Sequence, residues 1–220
     1  ETSVWMDGMV RAHKSAGIHD PLYAKALALC GTTPQRDGVL LVSVDTCVIA
    51  TPDSLAARRL MAERTGIPPD RIILAATHNH SGPATVGIFN PREDAYVELL
   101  SRKLADAAAA SVAALRPAAA GYAGGQEQTI SHYRRALADD GHVVMNWEPW
   151  PADRIVRVLG ESDPEVGVLK VVEAGEGGRL IAVLFNHAGH PNVLSGDNYL
   201  LSSDYPGHAE RLVEQVLGGT

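Results

Sequence analysis

Apolar residues run almost unbroken through LYAKALALC (22–30) and GVLLVSVDTCVIA (38–50), with the polar stretch TTPQRDG between them. This pattern predicts two strands joined by a hairpin-like turn. The period then lengthens. In TPDSLAARRLMAERTG (51–66), Thr51 can cap, Pro52 suits the first helical turn and Gly66 can stop the helix. RIILAATHNH (71–80) predicts a short buried strand. Residues 91–115 predict a long helix that keeps Tyr96, Leu99, Leu100 and Leu104 on one face, with Pro117 to end it. PAAAGYAGG and QEQTISHYRRAL predict a strand pair, and DDGHVVMNWEPWPADRIVRVLGESDPE reads as loop-rich. VGVLKVVEA and RLIAVLFNHAGH, linked by GEGG, predict two more strands before a closing helix, PGHAERLVEQVL. Helices alternate with strands, yet several neighbouring strands are joined by tight turns. The expected class is therefore α/β, a mixed β-sheet with flanking helices, in which the segments ending at Thr77 and Asn186 are buried strands. No internal repeat is visible.

Composition narrows the partners. The 220 residues carry a net charge of −7 with no block of Lys or Arg, which argues against nucleic acid or an anionic membrane as the main partner. No apolar run approaches the roughly 20 residues of a transmembrane segment. No basic-then-apolar leader opens the chain, and ETSVWMDGMV reads like the interior of a protein, with Trp5 and Met6 as packing residues. Cys30 and Cys47 are too sparse for a disulfide framework and read as two buried thiols.

Position separates the nine histidines. His13, His142 and His208 sit among polar neighbours and are expected at the surface, His19 is paired in sequence with Asp20, and His132 and His187 are ambiguous. His78 and His80 stand at the end of a predicted strand. Residues two apart in an extended segment share a face, so both imidazoles can address one ligand. The Ser81-Gly82-Pro83 turn leaves room above them. NHAGHPNVLSGDN repeats the arrangement, a strand followed by His190, Pro191 and a Gly-containing loop. Two such strand ends can converge on one ion, and zinc suits imidazole nitrogens completed by a carboxylate. The plainer reading of His190 is a strand-end residue held by Pro191. Asp204 can cap the last helix or accept a histidine N–H. Of the adjacent Arg134 and Arg135, at most one can face a site. Metallo-β-lactamase-like hydrolases also place an H-x-H after a strand but follow it with Asp-His, where this chain has Gly82-Pro83.

ATHNHSGP resembles the T-H-T-H-S-G-P segment of the neutral/alkaline non-lysosomal ceramidases, especially their shorter bacterial relatives. GIHDPLYAKALAL, LLVSVDT, HYRRA and FNHAGHPNVLSGDNYLLSSDYPGHAERL resemble further family segments in the same order. Asn79, Tyr133 and Asn192 stand where the family carries Thr, Asn and Thr. The resemblance implies one catalytic Zn2+ bound by two histidines, a glutamate and a tyrosine. It assigns His78 and His190 as metal ligands and His80 as a catalytic site residue. Arg134, with Arg135 as the fallback, would contact the reacting end of the substrate. The implied glutamate, tyrosine and an active-site serine would follow Thr220, so residues 1–220 are expected to be the N-terminal portion of a ceramidase-like zinc hydrolase domain. The remainder of that catalytic domain is the expected partner, and the piece alone is expected to be inactive.

The function so implied is zinc-dependent hydrolysis of an amide, ceramide (N-acyl sphingosine) or a related lipid amide, to a fatty acid and an amine. The rival is a non-catalytic fold relative, or a fragment, that binds a lipid or protein partner through the Trp147–Trp150 loop. Residue patterns assign no compartment; the resemblance leaves a secreted or periplasmic setting open.

Overall fold

Alternating aliphatic side chains on β2 (Ala24–Leu29) and β3 (Val39–Val44), which flank a one-turn helix α1 (Pro34–Asp37), pair the two strands antiparallel. The chain then enters α2 (Thr51–Thr65) and returns as β4 (Ile72–Ala76), parallel to β3. One hairpin and one helical crossover thus give a mixed three-stranded sheet, ordered β2-β3-β4. The computed structural model describes residues 3–219; Glu1, Thr2 and Thr220, the ends of the expected 1–220 span, lie outside the described residues.

The helix α2 begins one residue earlier than capping at Thr51 requires: Ala50 holds the cap position without a side-chain bond, and Thr51 is already helical. Its end is as expected, because Gly66 adopts φ 71°, the left-handed conformation that glycine enters without a steric penalty. The long helix α3 (Asp94–Ala113) packs beside α2 and over β2. Together these elements enclose the main core, in which Leu40, Val42, Val44, Met61, Ile72, Leu100 and Leu104 are buried against one another. Burial of each large aliphatic side chain is worth about 1.5–3 kcal/mol, so this half carries its own driving force.

The second half is organised differently. The strands β5 (Ala118–Gln126), β9 (Glu165–Glu173) and β10 (Leu180–His187) form an antiparallel sheet ordered β10-β9-β5. Between them in sequence, β6 (Arg135–Ala138), β7 (Val143–Met145) and β8 (Ile155–Val158) make a small antiparallel sheet. A two-residue pair links β1 (Gly17–Ile18) to β11 (Leu200–Leu201), and α4 (Asp204–Leu217) closes the chain.

The mixed α/β class stands, with the strands divided among four small sheets in the described residues. The β9–β10 hairpin matches the pattern-based expectation. The expected pairing of 117–125 with the segment after it does not occur; β5 pairs with β9 instead. A hairpin instead joins the end of QEQTISHYRRAL, as β6, to β7 within the stretch read as loop. Asp139-Asp140-Gly141 reverses the chain between β6 and β7, with Gly141 at φ 88° and the Ala138 N–H donating to the His142 carbonyl at 2.9 Å. Nor are the two key strands fully buried. Leu74 is half-buried, while Leu184 is 37% exposed, because β4 and β10 are edge strands with one open side.

Candidate metal centre

The strand β4 ends at Ala76, short of the histidines. Thr77 N–H donates to the Val44 carbonyl and His78 N–H to the Thr46 carbonyl, both at 3.0 Å, and His78 then turns to φ 65°. His78 and Asp204 (φ 56°) are the two non-glycine residues of positive φ among the described residues. That conformation costs a non-glycine residue of order 1–3 kcal/mol and persists where surroundings impose it, often at functional sites. Thus His78 and His80 face each other across a turn, not along an extended strand.

Three imidazoles meet at this turn. Ring centroids lie 4.9 Å apart for His78 and His80, 4.9 Å for His78 and His190, and 4.6 Å for His80 and His190. The Cys47 carbonyl, which can only accept, lies 2.6 Å from His78 Nδ1. Nδ1 must therefore carry the proton, and Nε2 of neutral His78 presents a lone pair. That Nε2 lies 3.4 Å from His80 Nε2. Two nitrogens at about 2.0–2.1 Å from a tetrahedral ion are separated by about 3.3–3.4 Å. The buried Nδ1 of His80 has no hydrogen-bond partner. The imidazole set therefore fits a borderline-soft divalent ion.

Electrostatics favour the neutral forms of His80 and His190. Burial first, then the neighbouring His190 and His78, push His80 down to about 4. His190 is lowered by burial, then by His78 and Arg134. The Arg134 guanidinium itself lies 5.3 Å from the Trp147 ring. Arg135 opens β6, where it pairs with Met145.

Asp204 does not bond an imidazole. Its carboxylate accepts backbone N–H groups from Val193 (3.3 Å), Leu194 (2.9 Å) and Tyr205 (2.6 Å), so it holds the loop that follows His190. On the other side of His190 the Tyr205 hydroxyl donates to the Gly189 carbonyl at 2.7 Å. The start of α4 thus fixes His190 through its own backbone. Ser203, not Asp204, occupies the cap position of that helix.

Sequence reasoning missed the supports beneath His80. Arg11 is buried, and its guanidinium donates to the carbonyls of His80 (2.8 Å), Asp7 (3.0 Å) and Asn198 (2.9 Å). Gly8, at φ 87°, lies against the His80 ring; a Cβ there would come within 2.7 Å of His80 Cβ and 2.8 Å of Nδ1. Cys47 was read only as packing, yet its Sγ lies 3.7 Å from His78 Nδ1, and burial pushes the thiol up to about 12. The available signals were slight: a glycine within DGM, and a cysteine just past a strand end.

The remaining candidates lie elsewhere or are engaged. His187 Nε2 is 3.0 Å from Ser131 Oγ, and His19 Nδ1 is 2.7 Å from Asp20. Asp20 also accepts from Ser202, Ser203 and Arg211, whereas Asp45 accepts from the Tyr23 N–H and the Thr77 hydroxyl.

The frame is mixed α/β, and its histidines gather at loops beyond the strand ends, where they could hold a metal ion. Residues 3–220 match the family described as neutral/alkaline non-lysosomal ceramidase, N-terminal, and the chain belongs to that family. It is similar to the crystal structure of neutral ceramidase from Pseudomonas aeruginosa, with a TM-score of 0.75 and 22% identity over 99% of this chain and 34% of that one. A ceramidase complexed with C2 matches with the same score and identity over 98% of this chain and 33% of the other. At that identity the likeness establishes the fold, and the chain spans about a third of the length of these solved structures. Among curated proteins no sequence matches.

Proposed function

We propose that residues 1–220 form the N-terminal portion of a ceramidase-like zinc hydrolase domain that cleaves ceramide or a related lipid amide to a fatty acid and an amine. The observation that carries this reading is the meeting of His78, His80 and His190, in a chain of the ceramidase family. His78 and His190 would hold the zinc. A glutamate and a tyrosine from the remainder of the same catalytic domain would complete the site, as the family resemblance implies.

When bound, the ion would supply polarisation of the amide carbonyl and a water acidified to a pKa of about 7. The residues of this chain do the rest. The Cys47 carbonyl fixes the tautomer of His78 and so aims Nε2. His80, neutral at pH 7, takes a proton from the attacking water and returns it to the departing amine nitrogen. Arg134, stacked on Trp147, offers N–H donors to the oxygen on which negative charge develops. Asp204 and Tyr205 hold the His190 loop in place through backbone hydrogen bonds.

Hydrolysis of a fluorogenic ceramide analogue tests this reading. The complete polypeptide that carries these residues is expected to turn the analogue over with zinc present, and His78→Ala or His80→Ala to abolish turnover. Residues 1–220 alone are expected to give none. Full turnover by the His78→Ala variant would refute the assignment. Binding of lipid without hydrolysis by the complete polypeptide would favour a non-catalytic relative.

A further inference from the structure

We infer that Ser131 and His187 are positioning residues for the proposed hydrolysis, because their hydrogen bond holds the segment that carries Arg134 against the loop that carries His190. The inference rests on the hydrolase reading above and adds the pair that sets its geometry.

An insertion interrupts the β10-β9-β5 sheet. The chain leaves it at Gln126 and returns at Glu165, residues that lie directly opposite each other in the β5–β9 ladder. The Glu127 N–H donates to the Pro164 carbonyl at 2.8 Å and closes the neck. The residues between, which include β6, β7 and β8, therefore form a flap on a two-stranded stalk. Arg134 belongs to that flap. Its carbonyl accepts from the Asn146 N–H at 2.8 Å, the Arg135 carbonyl accepts from the Leu159 N–H at 3.0 Å, and its guanidinium lies 5.3 Å from the Trp147 ring.

Beyond the stalk, one side-chain hydrogen bond joins the flap to the rest of the protein among the described residues. It runs between Ser131 Oγ and His187 Nε2, at 3.0 Å. His187 Nδ1 lies 3.2 Å from the Glu165 carbonyl, which can only accept. In the neutral ring Nδ1 thus carries the proton, and Nε2 accepts from the Ser131 hydroxyl. The Ser162 hydroxyl donates to the Ser131 carbonyl at 3.1 Å, so both legs of the flap are tied to one point. His187 ends β10 three residues before His190, and Ser131 stands three residues before Arg134.

Gly189 shows how close the junction is. A Cβ there would come within 3.2 Å of Ser131 Oγ and 3.3 Å of His187 Cδ2, and would collide with the Tyr205 hydroxyl. That hydroxyl also donates to the Gly189 carbonyl. The flap and the start of α4 therefore grip the same residue, the one that precedes His190.

Placement decides what Arg134 can do. A donor stabilises a developing oxyanion only at about 2.7–3.1 Å from it. A displacement of about 1 Å in a reacting assembly can cost about 100-fold in rate. Released from His187, the flap would carry Arg134 out of place while Asp204 and Tyr205 still held the His190 loop.

Turnover of the fluorogenic ceramide analogue by the complete zinc-loaded polypeptide, read as a double-mutant cycle between Ser131→Ala and Arg134→Ala, tests the pair. Ser131→Ala alone is expected to lower kcat about 10- to 100-fold with zinc stoichiometry unchanged, and Ser131→Thr, which keeps the hydroxyl, to retain turnover. In the Arg134→Ala background Ser131→Ala is expected to cost less than about twofold, because both act through one contact. Additive losses would overturn the inference, since a serine that only supported the fold would act independently of Arg134. An unchanged kcat in Ser131→Ala would overturn it as well. His187→Ala removes the same bond from the other side and takes its place in the cycle if Ser131→Ala does not fold. Absence of turnover by the unaltered polypeptide would sink the hydrolase reading itself, and amide hydrogen exchange then decides whether the bond holds the flap. Amides of residues 127–135 are expected to exchange several-fold faster in Ser131→Ala, and equal rates would refute the strap.

Discussion

The β2-β3-β4 sheet and the β10-β9-β5 sheet each have three strands, but they meet solvent very differently. The first is covered by α2 and α3, and Leu40, Val42 and Val44 of its central strand are buried. In the second, all nine residues of β5 are exposed, and the row Tyr122, Leu169 and Leu184 runs across the strands beside a shallow trough. One sheet owes its stability to apolar burial within these residues; the other is held chiefly by its ladder of hydrogen bonds. The candidate centre joins the two, since His78 follows β4 and His190 follows β10. A site built this way depends on both halves keeping their relative position, and only one half is well anchored.

The contrast can be broken at the core. Leu104, 1% exposed on α3, is expected to cost about 2–5 kcal/mol when changed to Ala, through lost transfer energy and the cavity left behind. Urea denaturation would measure it, and a loss below about 1 kcal/mol would show that the sealed half is looser than its packing indicates. The matching change Leu184→Ala on the open sheet should stay within about 0.5 kcal/mol.

Gly8→Ala probes the contact between the first segment and the site. The left-handed backbone and the lack of room beside His80 together predict a cost of about 1–3 kcal/mol. The His80 imidazole resonances should shift as well, whereas a stability change without that shift would place the strain elsewhere.

Asp20 ties the start of α4 to the first half and gives a smaller, pH-dependent effect. Burial alone would raise its carboxyl, but hydrogen bonds from Ser202, Ser203 and His19 outweigh it and hold the pKa well below the ordinary 3.8. A carboxylate depressed in this way contributes stability above about pH 4 and loses it as pH falls through the folded value. Asp20→Asn should therefore cost about 1–3 kcal/mol at neutral pH, and the gap to the unaltered chain should close in acid. A gap that widens in acid would reverse the sign of this linkage.

The first half was largely legible in the sequence because helix and strand periods there are long and end in Pro or Gly. Gly66 stopped α2 as its position suggested, and the β9–β10 hairpin followed from its two apolar runs. The pairing of β5 was not legible: AAAGYAGGQ has no alternation, and its partner β9 (Glu165–Glu173) lies far along the chain, beyond β6, β7 and β8. His78, His80 and His190 stood out because they end apolar runs. Their supports did not, since Gly8, Arg11 and Cys47 act through a close approach, carbonyl oxygens and a turn, none of which leaves a spacing pattern.

The central claim is that His78 and His190, from opposite halves, hold one ion. Zinc binding to residues 1–220 by equilibrium dialysis at neutral pH tests it most directly. The account predicts one ion per chain, weakened roughly tenfold or more by His78→Ala or by His190→Ala, with His208→Ala as an unaffected control. Zinc binding that survives both substitutions unchanged would contradict it.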